Sequence, residues 1–200
     1  MRFWLCFLCL ASSASGRADE PVRSLREIRQ ANVVVQQWDT SCGAAALATL
    51  LNYQHGLPML EKTIAETMLQ RVDPLKVKVR GGFSLLDLKR YVDGLGLEGV
   101  GYMKLSLEDL LDMAPAIVPV QFRGYPHFVV VRGRAGDKML LADPAFGNRT
   151  VDVERFERSW QGSIGFIVQR RDGKAPPNRL TVVPTDMLRP PDAAIRSALQ

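Results

Sequence analysis

The chain has 200 residues, with 26 Lys and Arg against 21 Asp and Glu and a formal net charge of +5. This basic excess is small and spread along the sequence, with no Lys/Arg cluster interleaved with aromatics, which argues against a nucleic-acid binder. The length suits one domain with a proper core, and no repeat of solenoid period is visible.

Met1 and Arg2 precede an apolar run, Phe3 to Leu10, and then small residues from Ala11 to Gly16. That is the layout of a secretory signal peptide, and the run is too short for a bilayer span, which takes roughly 20 apolar residues. Gly16 and Ala18 fit the −3 and −1 positions, so residues 1–18 are expected to be removed near Ala18. Arg2 and Arg17 leave with them, Lys and Arg fall from 26 to 24, and the net charge drops from +5 to +3. Cys6 and Cys9 leave too, making Cys42 the only thiol of an exported chain. A disulfide within that chain is therefore excluded.

Residues 19–31 are polar with little periodicity and read as a linker, followed by a short β-branched run, Val33 to Val35. Thr40 and Ser41 can cap a helix from Cys42 to about Tyr53, stopped by Gly56 and Pro58. "MLEKTIAETML" predicts a second helix, with Leu60, Ile64 and Leu69 on one side. "QRVDPLKVKVRGG" reads as a loop with one edge strand at Val77 to Val79, and Gly81-Gly82 as its closing turn rather than a site of self-cleavage. Ser84 with Asp87, and Ser106 with Asp109, form capping-box patterns ahead of two more helices. "LEGVGYMKL" is a strand candidate between them. Further strands are expected at Ile117 to Phe122, His127 to Val131, Met139 to Ala142 and Ile164 to Val168. Helices first and strands second make an α+β class. The domain is placed at 32–170, and the Pro-rich segment 171–200 reads as a poorly packed extension with one helical turn near its end.

The chemistry centres on Cys42. Unpaired N–H groups and the helix dipole favour a thiolate at a helix start, and a nucleophilic role needs a histidine within reach. Only two exist. His55 lies 13 residues on, at the far end of the same helix, roughly 20 Å away at 1.5 Å per residue; it reads as an exposed C-terminal residue of that helix. His127 begins "HFVVV", and "KMLLA" runs into Asp143. A hairpin centred on Ala135 pairs positions whose numbers total 270, which sets His127 opposite Asp143. Asp143 then fixes the ring tautomer and leaves one nitrogen for the thiol, the logic of covalent catalysis. The bland alternatives are a buried small hydrophobe for Cys42, a satisfied core histidine for His127 and a turn residue for Asp143. An oxyanion donor is also needed; Gln36 or Gln37, with the Cys42 N–H, can supply it, and position alone does not choose between the two glutamines.

The runs "QQWDTSCGAAAL", "GGFSLLDLKRYVDGLG", "HFVVVRG" and "LLADPAFG" resemble the C39-type cysteine peptidases, a branch of the papain-like fold, over roughly residues 33 to 170. The resemblance implies an N-terminal helical half packed on a C-terminal antiparallel sheet. It implies Cys42 as nucleophile, His127 as base, Asp143 as orienting acid and Gln36, six before the cysteine, as oxyanion donor. Ser41 stands where many members carry Asp or Asn. The sequence looks most like stand-alone, exported members that accompany functional-amyloid secretion. That implies a periplasmic peptidase acting on a protein or peptide substrate, with amyloid subunits and their outer-membrane channel as partners. No cofactor or metal is implied, since two histidines without further cysteines are poor ligand material. The rivals are a papain-like module that holds an export substrate without cutting it, and an acyl transferase or amidase using the same triad.

Overall fold

A computed structural model describes residues 24–122 and 124–182. The signal-peptide stretch and the end of the C-terminal tail lie outside the described residues. Among those described, no helix is long and apolar enough to cross a membrane.

Eight residues, Cys42–Thr49, form helix α2, and every one of them is buried. Four alanines let neighbours approach from all sides, so this is a central helix with no polar face. It continues as a single π-helical turn, Leu50–Gln54. Helices α3 (Glu61–Leu69), α4 (Pro74–Arg80) and α5 (Leu85–Gly94) follow. A six-stranded antiparallel sheet comprises β1 (Leu97–Tyr102), β2 (Ala116–Phe122), β3 (Tyr125–Ala135), β4 (Lys138–Asp143), β5 (Gly147–Asp152) and β6 (Gly165–Arg170), in the order β1-β6-β2-β3-β4-β5. Helix α6 (Leu107–Asp112) precedes β2, and α7 (Val153–Ser159) lies between β5 and β6.

Alternation along the strands divides the core in two. Ile117, Val130, Ala142 and Phe166 pack in one cluster with Leu47, Leu50, Ile64 and Leu88 of the helical half. Val118, Val120, Val129, Val131 and Leu141 join Leu110, Phe156 and Trp160 of α6 and α7 in the other. The expected helical half on a C-terminal sheet is present, and α6 and α7 complete a second layer.

Both expected capping boxes are formed, Ser84 with Asp87 and Ser106 with Asp109. Several local expectations are corrected. Val33 to Val35 joins no strand ladder. The stretch expected to hold an edge strand at Val77 to Val79 is instead α4, with Asp73 accepting from the Leu75 N–H and Pro74 at its first position. The segment read as a linker contains helix α1 (Leu25–Gln30), capped by Ser24 and Glu27. It is tied to β5 by the Asn148 amide, which donates to the Ala31 carbonyl at 2.6 Å. The start of the proline-rich tail is packed as well. Leu180 is fully buried, Arg179 N–H donates to the Tyr53 carbonyl (2.6 Å), and Arg132 Nε–H donates to the Leu180 carbonyl (3.0 Å).

Candidate active site

Cys42 is the first residue of α2 and is a free thiol. The expected side-chain cap is missing: Ser41 makes no cap bond, so its hydroxyl does not occupy the N–H groups at the helix start. Instead, Ser41 Oγ donates to the Trp38 carbonyl at 2.7 Å and contacts the buried Glu61 carboxylate. Glu61 also accepts the Gln37 N–H at 3.1 Å. The cysteine loop is thus fixed from behind by a carboxylate on α3, leaving the helix start to face a cleft.

That cleft, of about 560 Å³, is lined by Cys42, Gly82, Phe83, Gln121, His127 and Phe128 among others. Gly82, at φ +154°, brings its α-carbon close to the Thr40 carbonyl, which a Cβ would approach to 3.1 Å. Glycine there allows the loop after α4 to pack against the cysteine loop.

His127 Nε2–H donates to Asp143 Oδ1 at 2.8 Å, so Nδ1 is the nitrogen left for Cys42, which lines the same cleft. The hairpin that joins them is not centred on Ala135. At its turn the paired numbers total 273, Ala135 facing Lys138, and beyond Val131 they total 272, Val130 facing Ala142. A bulge at Arg132 makes the difference. Extending the 272 register sets Asp143 opposite Val129, so His127 and Asp143 are diagonal neighbours on one face rather than directly opposed. Without the bulge, the turn's odd register would send the two side chains to opposite faces.

Asp143 is completely buried and fully bonded. Oδ1 also accepts the Ala145 N–H (2.9 Å), and Oδ2 accepts from Arg149 Nη1 (3.2 Å). The turn role and the histidine-orienting role therefore coexist in one carboxylate. Burial opposes its charge, but His127, the Ala145 N–H and Arg149 together hold its carboxyl below the usual range. For His127, burial likewise works against the charged ring. The hydrogen bonds to Asp143 and Cys42 and their charges outweigh it and raise the imidazolium to about 9.

Gln36 sits beside this group. Its backbone N–H donates to the Pro144 carbonyl (2.7 Å), and its side-chain N–H donates to the Trp38 carbonyl (2.8 Å). One amide hydrogen stays available, and Oε1 is buried without a hydrogen-bond partner among the described residues. Gln37 is exposed, with its backbone held by Glu61.

His55 is corrected. It is 4 % exposed, with Nε2 bonded to the Val168 carbonyl at 3.1 Å, and is part of the packing at the far end of α2. Sequence reasoning missed Arg149 and Glu61. The strand carrying Arg149 has too little apolar character to be read as one, and nothing in the sequence links Glu61 to Ser41 twenty positions earlier.

A model of the Peptidase C39 family matches residues 30–172. A protein of Pseudomonas aeruginosa described as probable functional amyloid protease FapD is 39 % identical over 160 residues, 79 % of this chain and 70 % of that one. Its namesake in Pseudomonas fluorescens is 39 % identical over 166 residues, 80 % and 73 % of the two chains. The peptidase domain of Streptococcus ComA, a bifunctional ABC transporter of a quorum-sensing pathway, superposes with a TM-score of 0.57 at 22 % identity. That match covers 70 % of this chain and 98 % of the domain, a likeness of fold.

Proposed function

Since the chain belongs to the Peptidase C39 family, we propose that it is an exported cysteine peptidase that cuts a peptide bond in a protein substrate, within the export of functional-amyloid subunits. The observation that carries the reading is the 2.8 Å pair of His127 and Asp143 sharing one cleft with Cys42. The names of the Pseudomonas relatives support the amyloid connection, and the signal-peptide pattern of residues 1–18 supports a periplasmic location.

The reaction runs in two halves. Cys42 gives its thiol proton to His127 and Sγ attacks the substrate carbonyl carbon, and the carbonyl electrons move onto oxygen. The free amide N–H of Gln36 and the backbone N–H of Cys42 receive that oxyanion. As the tetrahedral centre collapses, the imidazolium gives its proton to the leaving amine and a thioester remains on Cys42. Neutral His127 then takes a proton from water, the resulting hydroxide attacks the thioester, and collapse releases the acid product and frees Cys42, with the proton again shared between it and His127. Asp143 keeps the ring in the productive tautomer throughout, and Arg149 and the Ala145 N–H keep Asp143 charged.

The test is to incubate the exported protein and its Cys42→Ala variant with candidate fibril subunits and outer-membrane channel protein, then map new termini by mass spectrometry. New termini are expected with the wild type alone. Cleavage by the variant, or full rescue of fibril export by Cys42→Ser in cells, would overturn the reading in favour of a substrate-holding module.

A further inference from the structure

A second cleft, of about 850 Å³, is lined from α1, β5 and α7, and includes the Arg149 that bonds Asp143. Its charged lining is entirely cationic: Arg29 from α1, Arg149 from β5, and Arg155 and Arg158 from α7. Arg149, Arg155 and Arg158 come from one stretch of chain, and the fold brings Arg29 of α1 to them. Arg149 is committed to Asp143 (3.2 Å), and Arg158 meets Glu154 at 3.4 Å in a largely exposed pair. Setting those carboxylates against their partners leaves Arg29 and Arg155 as a net cationic wall. Asp152, near Arg155, is already ion-paired with Lys138.

The floor is aromatic. The Arg149 guanidinium lies 5.3 Å from the ring centre of Phe122 and 5.2 Å from that of Phe146, and Phe146 is 64 % exposed. Gln121 borders both this cleft and the one holding Cys42 and His127. An extended chain crossing Gln121 therefore occupies both.

We propose that the arginine cleft is a second substrate site, taking an acidic stretch of the same protein chain whose scissile bond lies over Cys42. This rests on the peptidase reading of the neighbouring cleft. Carboxylates of the substrate meet Arg29 and Arg155, while its apolar side chains lie on Phe146. Each such contact is weak when exposed, and several acting together give selectivity for acidic sequence and a strong dependence on salt.

Binding is measured without turnover, using the exported protein carrying Cys42→Ala and fluorescein-labelled (Gly-Ser-Glu)n, (Gly-Ser-Gln)n and (Gly-Ser-Lys)n peptides of equal length. The glutamate peptide is expected to bind about tenfold more tightly than the glutamine peptide at low ionic strength, and the preference fades as NaCl is added. Adding Arg155→Gln, or independently Arg29→Gln, is expected to reduce the preference while the circular-dichroism spectrum and melting temperature stay unchanged. Equal binding of glutamate and glutamine peptides, or a preference untouched by the arginine variants, overturns the inference. Arginine-dependent capture by phosphatidylglycerol vesicles with no peptide preference overturns it too, in favour of a membrane surface. An enzyme that cuts its substrate yet shows no glutamate preference sinks this inference alone. A glutamate preference in a protein that cuts nothing sinks the peptidase reading alone.

Discussion

The backbone N–H of Gln36 donates to the carbonyl of Pro144 at 2.7 Å, fastening the loop ahead of Cys42 to the residue after Asp143. The proposed oxyanion donor and the proposed orienting acid thus share a support, although more than a hundred residues separate them. Because this support is made by backbone, Gln36→Ala should leave it in place and remove only the amide. The expected result is a fall in kcat of about 10²–10³-fold with little change in KM, the size seen when one oxyanion donor is lost. Steady-state kinetics on a cleavable peptide checks it; a loss confined to KM would assign Gln36 to substrate binding instead.

In the proposed mechanism the His127 imidazolium gives its proton to the leaving amine, so kcat/KM is expected to decline as pH rises through about 9. In Asp143→Asn the burial that disfavours the charged ring remains, while the carboxylate charge that favours it is gone. The alkaline limb should therefore move to lower pH, along with a lower plateau. pH–rate profiles of the two proteins decide this, and a limb that stays in place would mean that another group sets it.

Glu61 is 5 % exposed and accepts from Gln37 N–H while holding Ser41. Glu61→Ala removes the acceptor of the Gln37 N–H and the contact that holds Ser41 behind the cysteine loop, at a cost of roughly 1–3 kcal/mol. A melting temperature lowered by several degrees is expected, together with a reduced kcat as the loop from Gln36 to Ser41 loosens. Glu61→Gln keeps one acceptor oxygen and should lose less of both. Calorimetry and kinetics on the pair test the ordering Ala below Gln below wild type.

Much of this arrangement was legible because strong local signals agreed with the final packing. The apolar, β-branched run from Ile117 marks a strand, and Ser84-Asp87 and Ser106-Asp109 mark helix starts that the fold uses unchanged. The failures have physical causes. "LKVKV" alternates like a strand, but Asp73-Pro74 ahead of it is a helix-start signal that prevails in α4. β5 offers Val151 as its only large apolar residue in "GNRTVD", and it is a strand because β4 pairs along its whole length. The His127–Asp143 relation was placed on the right face with the wrong partner, because two errors compensate in parity: a displaced turn, and an extra residue at Arg132 that no sequence pattern announces. The arginine cleft was invisible for a simpler reason, since its members come from three separate elements.

The sequence also suggested a domain ending near 170, and this can be tested by truncation. Leu180 is fully buried against the helical half, and Arg132 holds its carbonyl and that of Thr181. Ending the chain after Gly173 removes a buried leucine worth about 2 kcal/mol and leaves the bulge arginine without these acceptors. The truncated protein should unfold at lower denaturant concentration than the full chain. Leu180→Ala in the intact chain should show part of the same loss, which separates burial of this side chain from any effect of the remaining tail. Coincident unfolding curves for all three would show that the segment adds nothing to stability.

Two histidines with opposite environments predict a stability profile with two limbs. Burial dominates at His55 and lowers its pKa from 6.5, with the Val168 carbonyl opposing and Arg170 assisting. The unfolded chain therefore takes up this proton first as pH falls. The His55 contribution is intact above about 6.5 and is lost progressively below it. His127 is raised to about 9, so its contribution is intact below about 6.5 and is lost as pH rises toward 9. Asp143, whose pKa is lowered, loses its contribution only at more acid pH, below the ordinary carboxylate value of about 4. The interval between about pH 5 and 6.5 consequently isolates His55. His55→Gln keeps an N–H able to reach the Val168 carbonyl but cannot titrate. It should begin less stable at pH 7.5 and close the gap with the wild type as pH falls to 5. Melting temperatures across that range decide the matter: parallel curves would mean that His55 carries no proton-linked cost, whereas convergence assigns the acid limb to this one ring.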